Sequence, residues 1–167
     1  MEAKVLPIRK ILGSTDFSIA GYPAVVTAGE LAAHFGAELV LMHVVHAAPP
    51  TPLVPPERVV MLPTKSEMEK YERDEKNRCL GELNRLIVER LPKGLSCRPL
   101  VEVGAAADEI VRLAEAENVD LLVIATHGRT GWRRLAFGSV AEKVIRTATR
   151  PVLVVQSPGQ AQEDDKH

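Results

Sequence analysis

The chain has 167 residues, of which 21 are basic and 22 acidic, giving a formal net charge of −1. This length suits one domain with a full hydrophobic core. The balance of charges argues against a protein that binds nucleic acid or an acidic membrane by bulk attraction, and no apolar run is long enough to span a bilayer. We therefore expect a cytoplasmic protein with no nucleic acid or membrane partner, in which any anion-binding site is local.

The first elements are a short strand and a helix. Residues 9–13 predict a strand that ends at Ser14, Thr15 and Asp16. Residues 24–35 predict a helix that Gly36 ends, because glycine is a common helix terminator. Pro23 leaves open whether the helix begins there or is kinked. The side chains expected on its buried face are Ala28, Leu31, Ala32 and Phe35.

The middle of the chain combines a buried strand, a proline-rich stretch and a charged helix. Residues 38–45, ELVLMHVV, are almost continuously apolar, as expected for a parallel strand covered on both faces. Half of the 12 prolines lie in residues 46–64, which predicts an irregular excursion. Residues 65–91 predict a long helix with a charged first half. The side chains expected to pack inward from its second half are Leu80, Leu83, Leu86, Ile87 and Leu91.

The second half of the chain repeats the alternation. Residues 98–103 predict a third strand, and residues 119–125 a fourth. The helix between them is marked by Ala107, Ile110, Val111 and Ala114, after a turn at Gly104. Ser139 is expected to cap the last helix. That helix carries Ala141, Val144, Ile145 and Ala148 on one face, ends before Pro151 and leads into a fifth strand at 152–155.

Five strands alternating with four helices predict a single α/β domain built on a parallel sheet with helices on both faces. The usual five-stranded orders, 3-2-1-4-5 and 2-1-3-4-5, both reverse their winding beside the first strand. Ligands tend to bind at that reversal, outside the carboxyl ends of the strands. In the first order, Asp16 and the loop after the fourth strand flank the reversal.

That loop, ATHGRTGWRRLAFGS (residues 125–139), is rich in glycine and arginine. Glycine lets a backbone approach phosphates closely, and the amides of a helix N-terminus bind anions. Gly128, Gly138, Ser139 and Val140 can supply these groups, and Asp16 can bind a ribose. The other interpretation is that the glycines only turn the chain, Ser139 only caps its helix and Asp16 only caps its own turn.

The remaining polar residues of interest have less specific signals. Arg129, Arg133 and Arg134 can reach phosphates, form a solvated face, or pair with the acidic first half of the long helix. His127 is expected to be solvated, and His43 to be a satisfied histidine at a strand end rather than a ligand.

The sequence resembles the universal stress protein family over nearly its whole length. The matching segments are ILGSTDFS, LVLMHVV, VEVGAAADEIVRLAEAENVDLLVIATHGRTG and GSVAEKVIRTATRPVLVV. The nucleotide-binding branch of the family carries G-x2-G-x9-G-[ST], of which Gly128, Gly138 and Ser139 match the last three elements. The resemblance implies a flavodoxin-like or Rossmann-like fold of the adenine nucleotide alpha hydrolase type, in strand order 3-2-1-4-5. The domain would span residues 1–157, followed by a polar tail at 158–167.

The resemblance further implies ATP or AMP as ligand, with Mg²⁺ as an optional companion. Asp16, with Thr15 beside it, would contact the ribose. The backbone of Val44 would face the adenine, and Ile124 and Ala125 would border the nucleotide. The phosphate contacts would come from Gly128, Gly138, Ser139 and Val140. Arg129, beside Gly128, is a further candidate phosphate contact because of its charge.

Two positions depart from the family pattern. The first loop glycine is replaced by Ala125, whose methyl group is acceptable only if the backbone there does not need a positive φ. Ser14 stands where the family often has proline.

The function that follows is a nucleotide-binding stress-response regulator that dimerises through its last strand, residues 152–155. We do not expect an enzyme: no general base is placed for fast ATP hydrolysis, so ATP turnover would be slow or absent. The alternative is a dimeric protein-interaction module of the same fold that binds no nucleotide. An adenylate-transferring enzyme is disfavoured, because the chain reads GSTDFS where such enzymes carry an SGGxDS-type loop.

Overall fold

The computed structural model describes residues 7–46, 63–126 and 138–156. Most of the 46–64 excursion and the whole 158–167 tail lie outside these ranges. The strands are β1 (Lys10–Ser14), β2 (Glu38–Val45), β3 (Cys97–Val103), β4 (Leu121–Ala125) and β5 (Val152–Val155). The helices are α1 (Tyr22–Phe35), α2 (Lys65–Arg90), α3 (Ala106–Ala116) and α4 (Ser139–Thr147), with a short 3-10 turn, Ile19–Gly21, before α1.

The five strands form one parallel sheet in the order β3-β2-β1-β4-β5. This confirms the predicted α/β class and selects the first of the two orders. The winding reverses between β1 and β4, where Gly13 pairs with Val123. The carboxyl ends of β1 and β4 therefore lie side by side, at the same end of the sheet.

Side chains alternate between two apolar cores, one on each face of the sheet. Leu39, Leu41 and Val123 pack on the face covered by α1 and α2. Val40, which lies between the two leucines in the chain, packs with Leu122 on the face covered by α3 and α4. Because both faces are covered, the strands carry almost unbroken apolar runs.

Local signals set the helix boundaries. Helix α1 begins at Tyr22, so Pro23 lies in its first turn and costs the helix no hydrogen bond. Gly36 ends α1 in the left-handed region, with φ of 64°. A capping box between Thr64 and Glu67 starts α2, a signal within the sequence TKSE that the charge pattern obscured. Among the helices of the described ranges, none is both long and apolar enough to cross a membrane.

Three side chains expected in the core are exposed: Phe35 at 41%, Leu80 at 39% and Ile145 at 42%. A helix contacts a sheet along a narrow stripe, and a residue next to that stripe can have the right spacing yet miss the contact. On α2 the stripe is Cys79, Leu83 and Leu86, so Leu80 lies beside it. Phe35 is the last residue of its helix, and Ile145 follows the buried Val144.

Candidate functional site

The predicted site lies where the carboxyl ends of β1 and β4 meet. Thr15 continues the ladder beyond β1, since its N–H donates to the Met42 carbonyl at 3.0 Å. Thr126 continues β4 in the same way, donating to the Val155 carbonyl at 3.0 Å. Both threonines are buried, and each is hydrogen-bonded to the neighbouring strand just beyond its own strand end.

Asp16 forms part of a tight turn that is closed by side-chain hydrogen bonds. Its Oδ1 accepts from the Ser18 amide at 3.0 Å and from the Ser18 hydroxyl at 2.6 Å. The Ser18 hydroxyl oxygen in turn accepts from the Gly21 amide at 3.1 Å. Asp16 therefore does stabilise the following turn through Oδ1, which was the alternative to a ligand role.

Phe17 and His43 lock this turn against β2. The Phe17 amide donates to Thr15 Oγ1 at 3.0 Å, and the Phe17 ring lies 4.4 Å from the His43 ring between centroids. His43 Nδ1 is 2.8 Å from the Thr15 carbonyl oxygen. His43 is therefore a satisfied strand-end histidine, as expected. Burial lowers its pKa below the ordinary value, against a smaller opposing effect of the Thr15 hydrogen bond.

The N-terminus of α4 lies at the same end of the sheet, beside the end of β4. The Gly138 amide donates to the Thr126 carbonyl at 2.6 Å, so the start of the helix is tied to the end of β4. The expected capping role of Ser139 is wrong, because Gly138 occupies the N-cap position and Ser139 is the first helical residue. The Gly138 carbonyl accepts the first helical bond from Glu142, at 2.9 Å. The amides of Ser139 and Val140 thus lie in the first turn of the helix, where the N–H groups have no acceptor within the helix itself.

The other predicted site residues are distributed as follows. Ala125 ends β4, paired with Val155, and the side chain of Ile124 is buried in the core beneath α3 and α4. Val44 pairs with Glu102 and packs against that same core. Gly128 and Arg129, together with His127, Arg133 and Arg134, lie outside the described residues.

Neither departure from the family pattern disturbs the backbone. In the described ranges, the non-glycine residues with positive φ are Phe17 and Asn118, so Ala125 has ordinary strand geometry. Its methyl group therefore meets no conformational obstacle. Ser14 is a regular strand residue paired with Met42.

The sequence interpretation missed a polar cleft beside Asp16. The cleft has a volume of about 510 Å³ and lies between the β1 and β2 ends and α2. It is lined by Asp16, Phe17, Tyr22, His43, Arg78, Glu82, Arg85 and Leu86. The spacing of residues 78, 82 and 85 places them on one helix face, which is the signal that could have identified it.

The cleft's charges are partly paired. Arg78 donates to Glu75 at 2.7 Å and to Glu82 at 2.9 Å. Within the described part of the chain, no group of three or more His, Cys, Asp or Glu side chains is arranged to hold a metal ion.

The family model and the similar proteins of known family all indicate the same family. The model of the Universal stress protein family matches residues 7–156. A universal stress protein of Methanocaldococcus jannaschii is 33% identical over 153 residues, covering 90% of this chain and 83% of the relative. A universal stress protein A homolog of Coxiella burnetii is 30% identical over 147 residues, covering 88% and 95%.

Solved structures show the same fold. A universal stress protein in complex with cAMP superposes with a TM-score of 0.64 at 22% identity, covering 92% of this chain and 100% of that one. A universal stress protein of Archaeoglobus fulgidus in complex with dAMP has a TM-score of 0.59 at 19% identity, covering 90% and 98%.

Proposed function

The chain belongs to the universal stress protein family, and from that premise we propose that it binds an adenine nucleotide and acts as a stress-response regulator. The proposed ligand is ATP or AMP, with Mg²⁺ accompanying ATP. Two proteins of the same fold are known in complex with cAMP and dAMP, which supports an adenine nucleotide as the ligand class.

The observation that carries the proposal is the convergence of two unlike groups at the reversal of the sheet. The carboxylate of Asp16 follows β1, and the first amides of α4 follow β4 through the Gly138–Thr126 hydrogen bond. A carboxylate suits ribose hydroxyls, and a helix N-terminus suits phosphates. A nucleotide has both groups, separated by a few bonds.

The proposed contacts are those that the family resemblance implies. Asp16 and Thr15 lie at the ribose, the Val44 backbone lies at the adenine, and Ile124 and Ala125 border the nucleotide. The proposed phosphate contacts are Gly128, Gly138, Ser139 and Val140, to which Arg129 is added for its charge.

We propose that the nucleotide is a signal rather than a substrate, so that its binding shifts the population of conformations that partner proteins recognise. The proposed regulator is a homodimer formed through β5, whose outer edge has no partner strand in the described sheet. The cytoplasmic location stays a prediction.

Calorimetry on the purified protein tests the proposal. The protein is first denatured to identify any co-purified small molecule, and ATP, ADP, AMP and cAMP are then titrated. Micromolar binding of an adenine nucleotide, without steady turnover, is expected. Absence of binding at millimolar ATP with Mg²⁺ would leave the alternative, a dimeric interaction module without a nucleotide.

A further inference from the structure

Phe17 has an unusual backbone for a bulky residue. Its φ is 61°, in the left-handed region that glycine adopts easily and an aromatic residue adopts rarely. Such a conformation persists only where surrounding contacts impose it, and such residues cluster at functional sites. Phe17 directly follows Asp16, so the contacts that hold Phe17 also constrain the backbone from which the Asp16 side chain projects, while Ser18 holds Oδ1.

Phe17 is held by a hydrogen bond to the end of β1, by a ring contact to β2 and by packing against the apolar core under α1 and α2. Its amide donates to Thr15 Oγ1, and its ring packs on the His43 ring. His43 Nδ1 lies within hydrogen-bond distance of the Thr15 carbonyl. The imidazole thus contacts the residue before Asp16 through a hydrogen bond and the residue after it through ring packing.

The direction of the His43 hydrogen bond follows from chemistry. A carbonyl oxygen can only accept, so Nδ1 must carry the proton and donate. This fixes the tautomer of the neutral ring, with Nε2 as its acceptor. The charged and titratable groups around the cleft that His43 lines are Asp16, Tyr22, Arg78, Glu82 and Arg85.

We propose that His43 is a positioning residue for ligand binding: by donating Nδ1–H to the Thr15 carbonyl and supporting the Phe17 ring, it orients Asp16 toward the ribose hydroxyls. This inference rests on the proposed nucleotide site and adds a residue that does not touch the ligand. The turn is preorganised, so the ribose contact is made without ordering the loop first.

The test measures discrimination between ATP and 2′,3′-dideoxy-ATP, which lacks both ribose hydroxyls. Loss of a hydrogen bond to a charged group weakens binding by about 10- to 100-fold, so the wild-type protein should prefer ATP by that factor. His43→Phe keeps an aromatic ring for Phe17 but removes the donor. His43→Asn keeps an N–H donor near the Nδ1 position without the ring. His34→Phe, an exposed histidine of α1, is the matched control.

We expect His43→Phe to lose most of the preference for ATP while its affinity for 2′,3′-dideoxy-ATP stays the same. His43→Asn should restore part of the preference, and His34→Phe should resemble the wild type. A second variant, Phe17→Gly, adopts a positive φ without strain and removes the ring, so it should also lose preference. Because the ring also packs against the core, thermal unfolding checks that this variant is folded.

The outcomes separate this inference from the proposed function. An unchanged preference in His43→Phe and Phe17→Gly, or equal weakening of both nucleotides, would overturn the inference and leave the nucleotide site standing. A wild-type protein that binds ATP without preference for the ribose hydroxyls overturns the inference and the proposed Asp16–ribose contact, and leaves nucleotide binding standing. A wild-type protein that binds neither nucleotide overturns both.

Discussion

The Asp16 carboxylate is engaged before any ligand arrives, because Oδ1 already accepts two hydrogen bonds from Ser18. Asp16→Asn is therefore the informative substitution. The asparagine oxygen can still accept from Ser18, so the turn is kept, while the negative charge is removed. An alanine at this position would remove both the charge and the two hydrogen bonds from Ser18.

We predict that Asp16→Asn lowers ATP affinity by about tenfold or more, the effect of weakening a hydrogen bond to a charged group. Calorimetry gives the affinity, and thermal unfolding checks that stability is nearly unchanged. Asp74→Asn, an exposed position on α2, changes the net charge equally and should have no effect. Equal affinity in both variants would remove Asp16 from the ligand site.

His43 gives a pH prediction whose sign follows from burial. Its folded-state pKa is lowered from 6.5, so the unfolded chain binds more protons than the folded protein between the lowered pKa and 6.5. The contribution of His43 to the free energy of unfolding is therefore complete above about pH 6.5 and decreases as the pH falls through that window. Below the lowered pKa, the His43 contribution no longer changes.

The measurement is urea unfolding at several pH values for the wild type and His43→Asn. The difference in unfolding free energy between the two proteins should decrease as the pH falls from about 7.5 to about 5. A constant difference over this range would mean that His43 is not buried as described, and a difference that grows on acidification would give the wrong sign.

At the scale of elements, two helical glycines lie in opposite environments. A Cβ on Gly29 of α1 would lie 2.6 Å from Leu91 Cδ2, whereas a Cβ on Gly81 of α2 would meet nothing within 4 Å. Leu91 is itself buried, so it cannot move aside freely. Gly29 is therefore required by packing of α1 against the end of α2, and Gly81 is not.

We predict that Gly81→Ala stabilises the protein by up to about 1 kcal/mol, since alanine favours a helix. Gly29→Ala should destabilise it by about 1 kcal/mol, because overpacking outweighs the same helix gain. Urea unfolding of the two variants makes each the control of the other. Stabilisation by both substitutions would mean that α1 does not approach Leu91 closely.

These elements also show how far the sequence leads. The succession of strands and helices along the chain was predictable, because apolar periodicity and a helix terminator such as Gly36 are local signals, within a few residues. The exposure of Leu80 and Ile145 was not, because it depends on how each helix is rotated against the sheet. The N-cap position of Gly138 was also not predicted, and its amide is hydrogen-bonded to Thr126, twelve residues earlier in the chain.

The site divides in the same way. Asp16 and the helix start were predictable from their positions after apolar strands. The positive φ of Phe17 was not predictable, because a phenylalanine after an aspartate does not indicate that backbone conformation. Arg78, Glu82 and Arg85 share a helix face by spacing, but only the tertiary fold places that face over the β1 and β2 ends.

At the scale of the whole molecule, the two ends of the sheet differ in chemistry. The amino end is closed by ion pairs: Lys10 contacts Glu38 at 3.5 Å and Glu117 at 3.1 Å, and Arg98 contacts Glu117 at 2.8 Å. Asp120 also accepts from the backbone amides of Arg9 and Lys10. The carboxyl end carries the proposed nucleotide site and the polar cleft beside Asp16.

The β5 edge of the sheet also concerns the whole molecule. Leu153 is 37% exposed in the single chain, and β5 pairs with β4 on one side only. An apolar strand edge is open to pairing with another strand, and a two-fold axis satisfies two copies at once. The exposed edge therefore favours a homodimer that buries β5 of both chains.

We predict that the protein is a homodimer and that Leu153→Lys shifts it toward monomer, because the lysine charge would be desolvated at the interface. Light scattering after size exclusion, at several protein concentrations, measures the mass. Val88→Lys is the matched control, since Val88 is 81% exposed on α2, away from β5, and should leave the dimer intact. A wild-type protein that is monomeric at all concentrations, or a Leu153→Lys protein as dimeric as Val88→Lys, would mean that β5 is not the dimer interface.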